Sequence, residues 1–285
     1  MRSLGTRIDE IASDALGSWA TAIVARIEHR GRLVFERAYG TTRDDEASCD
    51  VYVDTRFDLA SLTKLFVSFC LLQIVAEGRL HLDEPLASRV PQWRNSAKAV
   101  VTPRMLLSHT SGMQSGADYR TLLDRNVMEF ALESELAAPP GERVIYSDLG
   151  LIALAGLLER IEGRSLRAIV AARIGRPSLQ FTPSQRERDA IPATEFDGWR
   201  GRVQGAVHDE KAALMGGVAG HAGLFGTAAD VAWLTDVFLA ACTGRPEANL
   251  RPDLARSAVQ EAAFDPVLRR GLGWALKTSG DNSCG

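Results

Sequence analysis

The sequence predicts a mixed α+β protein on three observations: an apolar hairpin pattern near the amino terminus, one helix apolar nearly all round, and a long helical stretch that returns to strand character at the end. Residues 20–39 alternate and are rich in Val, Ile, Leu and Phe on either side of His29-Arg30-Gly31-Arg32. Two alternating runs around a polar, Gly-containing break are the pattern of a β-hairpin. Ahead of it, residues 1–19 mix charge with apolar residues at helical spacing, which predicts a short surface helix rather than a secretory leader. In residues 61–77, Leu62, Leu65, Phe66, Phe69 and Leu72 form one helical stripe and Val67, Leu71 and Ile74 another, so this helix has no polar face and must be central.

Helical signals then recur at residues 103–108, 119–136, 148–162, 166–174, 228–242 and 252–262, separated by loops with Gly, Pro and Asn. Residues 272–278 read as strand again, and no internal repeat or low-complexity linker interrupts the chain.

Composition narrows the function. With 285 residues, 46% hydrophobic and 24% charged, the chain can bury the core of one large domain or two intimate ones. Lys and Arg number 33 against 36 Asp and Glu, so no global field draws it to nucleic acid or to an anionic membrane, and a small neutral or mildly charged substrate fits better. The most apolar stretch, residues 62–76, is broken by Lys64, Ser68 and Gln73 and is too short to span a bilayer. Cys49, Cys70, Cys242 and Cys284 include no C-x-x-C pair and no histidine set at zinc spacing, which predicts buried thiols in a reducing, cytoplasmic setting. The five histidines form no H-E-x-x-H, and His208-Asp209-Glu210 are consecutive and point apart, so neither a metal nor another cofactor is expected.

The chemistry rests on Ser61-Leu62-Thr63-Lys64 at the start of the apolar helix. Residues at i and i+3 share a helix face, so hydroxyl and amine can meet. A serine hydroxyl is a poor nucleophile until a base takes its proton; a desolvated lysine can be that base, whereas arginine stays protonated. Only four of the 33 basic residues are lysines (Lys64, Lys98, Lys211 and Lys277), and only Lys64 has serine three positions earlier. Taken alone, the pair reads equally as a helix-capping serine and a lysine reaching for water. A second element, Val144-Ile145-Tyr146-Ser147-Asp148, follows Pro139-Pro140-Gly141-Glu142 and precedes a helix. A tyrosine on such a loop can project into a cleft and relay protons if cations stabilise its phenolate. Tyr52-Val53-Asp54 repeats the Y-x-D pattern without that loop, and Tyr52 is read as a structural aromatic.

Four stretches occur in an order that carries a resemblance: Phe57-Asp58-Leu59-Ala60-Ser61-Leu62-Thr63-Lys64, Leu106-Leu107-Ser108-His109-Thr110-Ser111-Gly112, Tyr146-Ser147-Asp148, and Gly220-His221-Ala222-Gly223-Leu224-Phe225-Gly226-Thr227-Ala228. Together they resemble the class C β-lactamase-like and penicillin-binding-protein-like serine hydrolases, which include β-lactamase-related esterases. The resemblance implies an antiparallel sheet flanked by helices plus an all-helical domain, with the site between them. On this chain that corresponds to a sheet part at residues 1–80 and 264–285 and a helical part at residues 81–263. It implies Ser61 as the acylated residue, Lys64 as its partner, Tyr146 as proton carrier, and Asp148 at a substrate-binding position that holds asparagine in many relatives. His109 and Ser111 are read as loop structure, and His221 as part of a glycine-rich turn before a helix capped by Thr227.

The resemblance also implies a third element, K-T-G or H-T-G, on a strand that closes the cleft and supplies half of an oxyanion hole. Lys277-Thr278-Ser279-Gly280 has one residue too many, and His221-Ala222-Gly223 stands before a helix rather than on a strand. The chain is therefore expected to be truncated at its carboxyl end and to be a weak catalyst or none. Two functions follow: a hydrolase forming a Ser61 acyl-enzyme with a small ester, amide or β-lactam, or a non-catalytic binding or sensor protein that retains the fold. The absence of a leader favours an esterase-like cytoplasmic hydrolase over one acting on cell-wall peptide. There is no G-x-S-x-G elbow, P-loop or dinucleotide fingerprint to suggest another class.

Overall fold

A computed structural model of the chain describes residues 3–16, 18–245, 249–265 and 269–277. Helix α1 (Leu4–Leu16) turns Ala12 and Ala15 inward and lies against the hairpin that follows it. That hairpin, β1 (Ala22–His29) and β2 (Arg32–Gly40), is antiparallel from Ala22 opposite Gly40 to His29 opposite Arg32. Its two-residue turn places both Arg30 (φ 53°) and Gly31 (φ 73°) in the left-handed region, which a type I′ turn requires and glycine meets without strain. The turn lies where the polar break predicts it.

After β3 (Phe57–Asp58), a short 3-10 turn at Ala60–Leu62 leads into α2 (Thr63–Ala76). Phe66, Val67, Phe69, Cys70, Leu71, Leu72 and Ile74 of α2 are all fully buried, so the helix is the axis of the core, as its pattern predicts. Ser61 sits in the 3-10 turn rather than in the helix proper.

Around α2 lie α3 (Pro103–Leu107), α4 (Val127–Glu133), α5 (Asp148–Glu162) and α6 (Leu166–Ile174). Ser147 caps α5 by accepting from the Gly150 N–H at 3.0 Å, and Gly163 (φ 68°) ends it. The helix expected over residues 119–136 is instead a 3-10 turn at Tyr119–Leu122 followed by α4. Asp118 accepts from the Arg120 N–H at 3.0 Å and Asn126 from the Glu129 N–H at 3.1 Å. Two side chains that compete for backbone donors begin two short elements where apolar spacing alone predicts one.

The next segment contains β4 (Gln180–Phe181), β5 (Ala193–Asp197), β6 (Gly201–Gln204), α7 (Glu210–Leu214) and β7 (Leu224–Gly226). None of these is legible as periodicity, because each is five residues or shorter. β7 is the middle strand of an antiparallel set β3-β7-β4, so the turn at Gly220–Gly223 runs into a buried strand before the helix begins. The expectation that this turn directly precedes a helix is thus corrected.

Helices α8 (Ala228–Cys242) and α9 (Pro252–Val259) and the small hairpin β8 (Arg269–Arg270) with β9 (Ala275–Leu276) complete the described chain. The strand expected over residues 272–278 is confined to β9, and Thr278 lies outside the described residues. α8 packs on β1, and its Trp233 and Phe238 meet Phe69 of α2 edge-on at 5.8 and 6.2 Å. The architecture is mixed helix and antiparallel sheet, but the described strands form four small sets rather than one continuous sheet. Of the thiols, Cys70 is buried and its pKa pushed up to about 12 by burial, Cys242 is half-buried and Cys49 is exposed; uniform burial is not found. Cys284 lies outside the described residues. Among the described residues, no helix is long and apolar enough to cross a membrane.

The cap of α8 matches its sequence signature and extends beyond it. Thr227 accepts from the Asp230 N–H at 3.1 Å, while Asp230 accepts from the Thr227 N–H at 2.8 Å and from the Ser178 hydroxyl at 2.7 Å, and pairs with Arg176. Because Asp230 is fully buried, removing it strips a cap and leaves Arg176 unpaired. An Asp230→Ala variant is expected to lose about 3 kcal/mol in urea denaturation, against about 1 kcal/mol for Thr227→Ala. Equal small losses would show that the ion pair contributes nothing beyond the cap.

Candidate active site

The site forms where the 3-10 turn after β3, the start of α5, the segment leading into α7 and the turn before β7 converge. Lys64, only 4% exposed, donates to the Ser61 hydroxyl at 2.8 Å and to the His221 carbonyl at 3.2 Å. Its ammonium lies 3.0 Å from Asp148 and 4.7 Å from the centre of the Tyr146 ring. The sequence-predicted residues Ser61, Lys64, Tyr146 and Asp148 are thus brought together. For Tyr146 the contacts that place it involve its ring.

Sheet pairing fixes the turn that carries Ser61. Phe57 and Asp58 of β3 pair with Gly226 and Phe225 of β7, and the Leu59 N–H donates to the Leu224 carbonyl at 2.9 Å. Thr63 accepts from the Leu224 N–H at 3.2 Å. Asp58 accepts from the Ala60 N–H at 2.8 Å and from the His208 N–H at 2.6 Å, clamping the turn to the loop that carries Asp209. Burial raises the pKa of Asp58, although these backbone donors partly offset it. Ala60, next to Ser61, has φ 45°, a left-handed conformation that costs a non-glycine residue about 1–2 kcal/mol. This strain sits directly beside Ser61.

Close backbone approach sets the opposite wall. A Cβ on Gly220 would lie 2.0 Å from the Leu151 carbonyl of α5, so only glycine lets the His221 turn rest on that helix. At Gly223 (φ 109°) a Cβ would stand 2.4 Å from the Gly217 carbonyl. The loop reading of His221 holds, and its carbonyl additionally receives Lys64.

Three charged groups absent from the sequence-based set complete the surroundings. Lys211 lies 3.4 Å from Asp148 and 3.1 Å from Asp209, and His221 Nε2 lies 2.7 Å from Asp209. For Asp209, burial pushes the pKa up, but the His221 bond, the Ala212 N–H and Lys211 together outweigh it and hold the carboxyl well below its usual range. Lys211 is held above its ordinary value, since Asp209 and Asp148 together outweigh its burial. Arg270, from β8, lies over the Tyr146 ring at 5.2 Å. The only sequence signal for these was the presence of a second lysine among so few; Asp209 pairs with His221, twelve residues away, rather than with its neighbour His208.

His109 has the structural role expected of it. It packs against Tyr146 with ring centres 4.6 Å apart, and its Nδ1 accepts from the Ser147 N–H at 3.0 Å. Burial, with Arg270 and Lys64 nearby, pushes its pKa down to about 3, so the ring is neutral and its lone pair is free to accept. A histidine with a depressed folded pKa adds stability at neutral pH that is lost as pH falls from the unfolded value of about 6.5 toward 3. Unfolding free energy is therefore expected to drop by about 4–5 kcal/mol across that window. A His109→Gln variant should show a visibly flatter dependence, and an unchanged slope would remove His109 from this role.

The chain matches the Beta-lactamase family over residues 9–283. It is similar to Esterase EstB of Burkholderia gladioli, at 34% identity over 220 residues that cover 67% of this chain and 55% of the esterase. It is similar also to a putative D-alanyl-D-alanine carboxypeptidase of Escherichia coli (strain K12), at 29% identity over 73% of this chain and 57% of that protein. The chain thus spans little more than half the length of these curated relatives. Among solved structures it superposes on EstCE1, a hydrolase with promiscuous acyltransferase activity, with a TM-score of 0.77 and 22% identity, covering 95% of this chain and 82% of that one. At that identity the likeness speaks for the fold alone. With its ordered motifs, its converged site and a family match over most of its length, the chain belongs to the Beta-lactamase family.

Proposed function

We propose that the protein is a serine hydrolase that cleaves a small ester, amide or β-lactam through an acyl-enzyme on Ser61. The observation that carries this is the 2.8 Å contact between the Lys64 amine and the Ser61 hydroxyl, with Asp148 and the Tyr146 ring around the amine. In its neutral form Lys64 takes the Ser61 proton while Oγ bonds to the substrate carbonyl carbon. The tetrahedral intermediate then collapses, the bond to the leaving alkoxide or amine breaks, and that group takes up a proton delivered through Tyr146 or Lys64. Water attacks the acyl carbon in the second half, its proton passing to the same groups; the bond between the acyl carbon and Oγ then breaks, and those groups return the proton to Ser61 as the acid product leaves.

A small ester is the first candidate substrate, supported by the similarity to an esterase. A cytoplasmic location belongs to the same proposal, supported by thiols that are free among the described residues. In the oxyanion hole the Ser61 N–H is one donor. The second is expected from a strand carrying the third motif, which Lys277-Thr278-Ser279-Gly280 does not match; of that run only Lys277 is among the described residues.

Steady-state hydrolysis of a chromogenic ester and a chromogenic β-lactam tests the proposal. Ester turnover is expected to exceed β-lactam turnover and to vanish in Ser61→Ala. Lys64→Arg is expected to lose about 10²-fold or more, because arginine cannot accept the proton. Full activity in Lys64→Arg would show that no proton acceptor is needed there, and Ser61-independent turnover would remove the acyl-enzyme.

A further inference from the structure

Resting on the Ser61 and Lys64 assignment, the geometry points to Lys211 and Asp209 as positioning residues that set how readily Lys64 gives up its proton, acting through the shared carboxylate of Asp148. The two oxygens of Asp148 face different ammonium groups, Oδ1 toward Lys64 at 3.0 Å and Oδ2 toward Lys211 at 3.4 Å. Lys211 continues to Asp209 at 3.1 Å, and Asp209 to His221 Nε2 at 2.7 Å. His221 is 1% exposed, and its carbonyl returns to Lys64 at 3.2 Å, so the chain of contacts closes into a loop around the amine.

The arrangement has a direct electrostatic consequence. A carboxylate facing Lys64 alone would hold its proton tightly and leave Ser61 without a base. The second ammonium on the far oxygen opposes the charge on Lys64, weakening that hold. Asp209 moderates the opposition by neutralising part of Lys211, and His221 fixes where Asp209 sits.

Other groups facing Lys64 do not supply this balance. Tyr146 meets it through its ring, and Ser61 and the His221 carbonyl are uncharged. Arg270 and His109 are placed against the Tyr146 ring, at 5.2 and 4.6 Å from its centre. Asp148, Asp209 and His221 also offer donor atoms within 4.8 Å of one another, a spacing that suits a metal ion. The Lys211 ammonium, however, already sits against both carboxylates and does a cation's work there.

The test is the rate of Ser61 modification by a fluorophosphonate ester as a function of pH, with the adduct located by peptide mapping in the full 285-residue chain. Lys211→Met leaves Asp148 to Lys64 alone, and its profile is expected to move about one unit to higher pH. Asp209→Asn frees the Lys211 charge to act on Lys64, and its profile is expected to move the opposite way; asparagine keeps the cap that Asp209 provides to the Ala212 N–H at 2.8 Å. Lys211→Arg retains the charge and should keep the wild-type position. A residue that merely supports the fold would lower the plateau without moving the profiles in opposite senses. If Lys211→Met does not fold, Asp209→Asn alone reads the network. Profiles that stay in place, or shift in the same direction, overturn this inference and leave the Ser61 assignment standing. A wild-type adduct on a residue other than Ser61 overturns both.

Discussion

A lysine amine almost wholly removed from water is the constraint on which the site depends. Taking an ammonium out of water costs several kcal/mol unless partners replace the lost hydration. Lys64 finds them in the Ser61 hydroxyl, one oxygen of Asp148, the His221 carbonyl and the Tyr146 ring, which come from three separate stretches of chain. Every element that brings one of these groups within reach is therefore tied to the same point. The pairing of β3 with β7 brings the Ser61 turn beside the His221 turn, Gly220 seats that turn on α5, and the Ser147 cap starts α5 with Asp148 in its first turn.

Much of this was legible in the sequence, for physical reasons that also explain what was not. The i, i+3 spacing of Ser61 and Lys64 is local, and a helix apolar on every side can only be central, so both the pair and its burial could be read directly. Tyr146 is readable because a proline-rich loop and a helix start frame it, whereas Asp148 enters only through the family resemblance. Lys211, Asp209 and Arg270 join the site only by tertiary approach, and no local pattern marks them. His208-Asp209-Glu210 was set aside because adjacent side chains diverge, yet Asp209 meets a histidine from across a loop. Even the correct elements had boundaries that apolar spacing could not give. Residues 119–136 split because Asp118 and Asn126 capture backbone donors, and β7 is too short to show an alternation.

The division of labour between the two carboxylates follows from their surroundings. Asp148 lies between two ammonium groups and can bias each only partly. Asp209 caps α7, receives His221 and faces Lys211, and is held firmly ionised. One is shared between Lys64 and Lys211, and the other ties Lys211, His221 and the start of α7 together. His109 makes a comparable contribution in neutral form, packing against the Tyr146 ring while satisfying the Ser147 N–H.

The acyl-enzyme itself is the most direct evidence for this arrangement. Rapid acid quench during turnover of a chromogenic ester, followed by intact-mass measurement and peptide mapping, should find one acyl group per chain on the peptide containing Ser61. That adduct should be missing from Ser61→Ala and strongly reduced in Lys64→Arg. An acyl group on another side chain, or turnover that leaves Ser61 unmodified under every quench condition while a Ser61→Ala chain works equally well, would contradict it.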